Sequence, residues 1–260
     1  MKNTPSITSK QQEILKLLYK YRFLNRPQIQ ALLTHKDKRR ITAWLKDLRE
    51  KQYIAWQYNP NDFVTKAKPA TYYLSLNGIR YLRNLDNYST GELRKRYKES
   101  SRSQAFIDQC LFIADSCLAL QSKSDESQQY VCVTPAEYVD STSEYHYLSE
   151  LKPHLLFSKH QGKTMSNYLL ENVALSLPRY QLRKRLKDYV EYLANEWSEA
   201  NGPLPVALFV CSTTADLMYV KRRIKLLLDD LSNNEDVRVR VTTIGKVQAI
   251  GVASMIWEEI

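Results

Sequence analysis

At 260 residues, 43% of them apolar or aromatic, the chain is long enough for one large or two smaller domains with a buried core, which excludes wholesale disorder. Its formal charge of +10 is uneven: residues 1–100 carry 21 Lys and Arg against 8 Asp and Glu, net +13, and residues 101–260 carry 17 against 20, net −3. A basic end of that kind points to a polyanionic partner, while the lack of 18 uninterrupted apolar residues and of an apolar run in "MKNTPSITSKQQ" implies a cytoplasmic protein that neither spans a membrane nor is exported.

From Ser9, "SKQQEILKLLYKYRFLNRPQIQALL" places Ile14, Leu17, Leu18 and Tyr21 at helical spacing, with Ser9 as the expected cap. Asn25-Arg26-Pro27 restarts the chain into a short second helix bearing Ile29, Leu32 and Leu33. After the polar "THKDKR", a third helix follows in "KRRITAWLKDLREKQ". Ile41, Trp44, Leu45 and Leu48 face inward, and Lys38, Arg39, Arg40, Thr42, Ala43, Lys46 and Arg49 lie outside. Two strands, residues 53–58 and 71–76, then flank a loop carrying Lys66 and Lys68, and "NGIRYLRNL" starts a closing helix with Asn77 as its expected cap. Three helices and a basic hairpin in this order describe a winged helix-turn-helix over residues 1–90.

A helix of this kind fits the major groove, where arginine reads guanine, and basic side chains at its edge and on the wing meet phosphates. Lys38, Arg39, Arg40, Thr42, Ala43, Lys46, Arg49, Lys66 and Lys68 are therefore the candidate contacts to double-stranded DNA. The aromatic residues at 53, 56, 58, 72 and 73 alternate along the hairpin and read mostly as packing, so single-strand binding is not inferred. "GELRKRYKESSRSQ" is basic and without strong apolar periodicity, and residues 91–103 read as a linker.

Residues 104–260 read as a helix, a strand at 130–139 running past Pro135, strands at 154–158 and 167–176, a long helix after Pro178, the apolar strand "LPVALFVCST", a helix from Ala215 to Leu231 and a last strand "VRVRVTTI". The fold class is α/β (α+β), with a mixed sheet flanked by helices. Cys110, Cys117, Cys132 and Cys211 lie in apolar contexts without a CxxC pair, the pattern of buried free thiols.

The element order of residues 104–260 is also that of the PD-(D/E)xK nucleases. From about Ser9 to Ile244 the chain resembles the replication-relaxation family. The resemblance rests on the opening segment, "RRITAWLKDLREKQYI", "YYLSLNGIRYL", the strand led by Pro153, "LLENV", "YVEYL" and "PVALFVCST". It implies DNA binding in the replication or transfer of a plasmid or other mobile element, as an accessory to a relaxase or replication enzyme, with a degenerate, restriction-endonuclease-like second domain.

The departures matter. Pro153-His154 stands where the family tends to have Pro-Asp, and Glu171-Asn172-Val173 where it tends to have Glu-Val-Asp. Mg²⁺-assisted cleavage needs several hard oxygen ligands and a base. Glu171 alone does not supply them, so it reads as a vestigial nuclease position in a non-enzymatic protein with no metal and no cofactor. A homodimer that sets half-site spacing is expected. The alternatives are a transcriptional regulator with a C-terminal sensor or dimer module, and a nuclease with displaced acids.

Overall fold

The computed structural model describes residues 6–58, 68–85, 88–139, 142–173, 177–231 and 236–260. The chain divides into two compact units, residues 1–118 with 139–143 and residues 119–138 with 144–260.

In the first unit α1 (Ser9–Tyr21), α2 (Arg26–Leu32) and α3 (Lys38–Glu50) precede β2 (Ile54–Gln57), β3 (Thr71–Leu74) and α4 (Leu76–Arg83). β2 and β3 pair antiparallel, and the two-residue β1 (Leu24–Asn25), which the sequence reading missed, joins the other edge of β3. Ile14, Leu18, Ile29, Ile41, Leu45, Leu48 and Leu82 are sealed from solvent by helical periodicity, and Leu74 of β3 is buried with them.

The caps differ in detail from expectation. Thr8, not Ser9, caps α1, because its hydroxyl and the Gln11 side chain satisfy each other's backbone N–H groups. Asn25 and Gln28 repeat the device at α2, and Asp37 accepts from the Arg39 and Arg40 N–H groups to open α3. Ser75 is the cap residue of α4, while the Asn77 amide donates to the Lys51 carbonyl at 3.0 Å.

Residues 91–103 are not an open linker. α5 (Thr90–Lys95) and a 3₁₀ turn (Arg96–Ser101) put Glu92, Leu93, Arg96 and Glu99 on a buried face. Glu99 receives Arg22 Nε and Nη2 at 2.8 and 3.0 Å, and Arg96 Nη2 donates to the Tyr19 carbonyl at 3.1 Å. Charge density concealed this face, because its buried positions are themselves charged. α6 (Gln104–Gln121) follows, and Ile107 and Cys110 pack with Phe23.

The second unit is built on a six-stranded sheet in the order β4-β5-β6-β7-β8-β9: β4 (Gln128–Val133), β5 (Leu155–Gln161), β6 (Thr164–Val173), β7 (Val206–Cys211), β8 (Val239–Thr243) and β9 (Glu258–Glu259). β6-β7 and β7-β8 are parallel and the other pairs antiparallel, which makes the sheet mixed. A Gly162-Lys163 turn, with Gly162 at φ 59°, joins β5 to β6.

β4 stops at Val133 rather than running past Pro135. The next residues form the single turn α7 (Pro135–Tyr138), because Glu137 accepts from the Thr134 N–H and hydroxyl and proline suits a first helical turn. The crossovers are α8 (Arg179–Glu191) and α9 (Thr214–Asp229), tied together by Arg179–Asp216 at 3.0 Å. After β8 come α10 (Ile244–Ile250) and β9, neither read from the sequence. All four cysteines are buried free thiols, and burial pushes Cys110 and Cys211 up to about 12.

Candidate nucleic-acid interface and the Glu171 position

α3 presents two faces. Ile41, Leu45 and Leu48 anchor one in the core, and Trp44 lies half-buried, edge-on to His35 with centroids 5.1 Å apart. Lys38, Arg39, Arg40, Thr42, Ala43 and Lys46 are exposed on the other. Among the described residues the side chains of Lys38, Arg39 and Arg40 have no acidic partner, and Lys46 meets only Glu50, at a loose 3.8 Å in full solvent. The Thr42 hydroxyl turns back to the Lys38 carbonyl at 3.0 Å.

The Asp37 carboxyl is held below its usual value, chiefly by the Arg39 and Arg40 N–H groups. Its charge is thus committed to the helix start and leaves the rest of the stripe basic. Arg49, half-buried at the far end of α3, holds its guanidinium 3.8 Å over the Trp56 ring. Lys68 is exposed, and Lys66 lies outside the described residues.

In the second unit Glu171 sits on β6, in register with Phe209 of β7 and only 6% exposed. α8 brings two partners one turn apart. Arg185 donates from Nε to Oε1 at 2.9 Å and from Nη2 to Oε2 at 3.1 Å, and the Tyr189 hydroxyl donates to Oε2 at 2.8 Å. Arg185 also donates to the Leu151 carbonyl and, at 2.7 Å, to that of Lys152, whose φ of 53° is left-handed. The pair therefore fixes a strained corner just before β5.

Burial opposes charge on Glu171, but the neighbouring positive charge and the donated hydrogen bonds win, and the carboxyl stays below the ordinary Glu value. Tyr189 moves up because it is buried beside that carboxylate. His154 Nδ1 lies 3.4 Å from Oε2 and accepts the Asn172 N–H at 3.1 Å. Burial also lowers its pKa, so the imidazole is neutral with its proton on Nε2. Val173, the last residue of Glu171-Asn172-Val173, is a buried core residue in register with Cys211.

These residues do not fit a catalytic Mg²⁺. Both Glu171 oxygens are occupied by donors from α8, and the adjoining groups are imidazole and valine. Among the described residues no three His, Cys, Asp or Glu side chains cluster as metal ligands. Arg185 and Tyr189 were missed in the sequence. Their signal was the four-residue spacing on a helix whose neighbours Leu182, Leu186 and Val190 face the core.

Fold and site together define a class: a chain with three helices and an antiparallel hairpin, followed by a mixed α/β sheet unit with an ion-paired carboxylate near the C-terminal end of β6. The replication-relaxation family model matches residues 15–206, and the chain belongs to that family. Two solved structures of the restriction endonuclease FokI are similar, one bound to DNA at 15% identity and TM-score 0.32, the other at 12% and 0.30. They cover 94% and 93% of this chain, which spans only 44% and 43% of theirs. No curated protein sequence matches significantly. No helix among the described residues is long and apolar enough to cross a membrane.

Proposed function

We propose that the protein binds double-stranded DNA through α3 and the basic loop of the hairpin, as a non-enzymatic accessory factor in the replication or transfer of a mobile element. The observation that carries this reading is the exposed cationic stripe on the second helix of the α2–α3 pair, where Lys38, Arg39 and Arg40 have no acidic partner among the described residues and Lys46 has only the loose contact to Glu50. Cations left without protein partners along one helix are available to phosphates and guanine edges. Family membership supports the replication or transfer context. The occupied Glu171 carboxylate supports a non-enzymatic role, in which the sheet unit makes a homodimer or recruits a relaxase or replication enzyme.

Duplexes tiled across the DNA flanking the protein's own gene provide the test, with binding measured over a salt series with and without Mg²⁺. Wild-type protein retards intact duplex with an affinity that falls steeply with salt. Arg39→Ala/Arg40→Ala flattens the log–log salt slope by about 2 if each arginine meets one phosphate. Undiminished binding by this variant moves the interface elsewhere. Mg²⁺-dependent cleavage abolished by Glu171→Ala overturns the non-enzymatic reading.

A further inference from the structure

Trp56 on β2 is 41% exposed and Tyr58, the residue that follows the strand, 40% exposed, with ring centroids 5.7 Å apart and planes 37° apart. Ile54, on the Trp56 face of the strand, is buried, and Tyr72, opposite Trp56 on β3, is nearly so, with its ring 6.0 Å from the indole. The apolar stripe thus begins in the core and continues as two open rings. Alternation along the hairpin had implied packing, which holds for Tyr53 and Tyr72 and fails for Trp56 and Tyr58. Large aromatic surfaces left side by side in water are uncommon away from binding sites.

The position of these rings supplies the occupant. Steps of three and four residues along α3 carry the basic stripe from Arg39 through Thr42 and Lys46 to Arg49, and Arg49 stands over Trp56. The cationic track therefore runs directly into the aromatic pair. Bases inside a duplex are stacked on one another and offer side chains only their edges, whereas an unpaired base offers a whole face to an aromatic ring. A cation beside the rings keeps the backbone phosphate of that nucleotide close.

We propose that Trp56 and Tyr58, with Arg49, form a stacking platform for unpaired bases, so that the preferred ligand is duplex DNA opening into a single strand. This rests on the duplex-binding reading and sharpens it, because α3 takes the paired side of the junction and β2 the unpaired side.

The full-length chain is titrated at one salt concentration with a short blunt duplex and with the same duplex carrying an oligothymidine tail. The tailed duplex binds about tenfold tighter, the size of one base–aromatic stack. Tyr58→Ala, an exposed position whose loss leaves the fold intact, and Trp56→Ala each reduce that preference while blunt-duplex affinity holds. Trp56→Phe retains it. Arg39→Ala/Arg40→Ala weakens both ligands alike. Equal binding of blunt and tailed DNA, or a tail preference that survives Trp56→Ala/Tyr58→Ala, overturns the platform and leaves duplex binding standing. Failure to bind either DNA overturns the duplex reading itself.

Discussion

The two units use arginine in opposite ways. On α3, Arg39 and Arg40 are exposed and have no acidic partner among the described residues, so their charge is spent on the field around the molecule. On α8, Arg185 is three-quarters or more out of solvent, bidentate to Glu171 and bonded to the carbonyls of Leu151 and Lys152. The first arrangement costs the fold little and suits an external polyanion; the second is part of the core. Residue type is shared, and partners and burial decide the role.

The largest effect comes from breaking the α8 pair. Glu171→Ala strands a buried guanidinium and is expected to destabilise the sheet unit by about 3–5 kcal/mol, read from denaturant midpoints. Glu171→Leu/Arg185→Met recovers part of that loss, because an apolar pair of similar volume removes the stranded charge, while the Leu151 and Lys152 carbonyls and the Tyr189 hydroxyl lose their partners. If Glu171→Ala unfolds at the wild-type midpoint, the pair is not structural and the carboxylate is free for other work.

Gly78 gives the corresponding test in the first unit. A glycine inside a helix ordinarily costs about 1 kcal/mol relative to alanine. In α4 the sign reverses, because a Cβ there would lie 2.2 Å from the Tyr53 carbonyl oxygen. That carbonyl accepts the Ser75 N–H at 3.0 Å and cannot retreat freely. Gly78→Ala is expected to destabilise by about 1–3 kcal/mol, the range of overpacking. A more stable variant would show that α4 can slide away from the turn after α3.

Acid provides a smaller effect, confined to the sheet unit, in which His154 and Glu171 both lie. His154, half-buried, has its pKa lowered below 6.5 by desolvation, so the unfolded chain binds its proton first, and stability falls as pH drops from about 6.5 toward the folded value. Glu171 is lowered from 4.5, so its contribution is present above 4.5 and is lost as pH falls through the folded value. Melting temperature against pH therefore shows two descending stages. His154→Asn removes the upper one, and an unchanged profile in that variant would reassign it.

The helices and strands with alternating or periodic apolar residues were legible because Ile41, Leu45 and Leu48, or the run from Val206 to Cys211, record burial directly in residue type. The misreadings share one cause. Arg96, Glu99, Glu171 and Arg185 are charged letters drawn out of solvent by partners elsewhere in the chain, the Tyr19 carbonyl and Arg22 for the first two and each other for the last two, and a single chain read in order shows the letters without the partners. Hence a folded segment looked like a linker and Glu171 looked solitary. The open rings of Trp56 and Tyr58 failed in reverse, since alternation marks a face and not what covers it. β1, α10 and β9 were lost because two-residue strands and one or two helical turns carry too few residues for a period to appear.

The smallest expected change in stability is the sharpest contrast. Arg39→Ala/Arg40→Ala removes two charges from the first turn of α3, where cations oppose the helix dipole and the Asp37 cap is already in place. No ion pair among the described residues is lost, and alanine is the better helix former, so the denaturant midpoint should stay within about 0.5 kcal/mol of wild type or rise slightly. DNA affinity falls in the same variant. Had the arginines belonged to the fold, stability and binding would fall together, as the Glu171→Ala result anticipates for Arg185. Separation of the two readouts places Arg39 and Arg40 on a surface kept for a partner, and their coupling would return the α3 stripe to the category of α8.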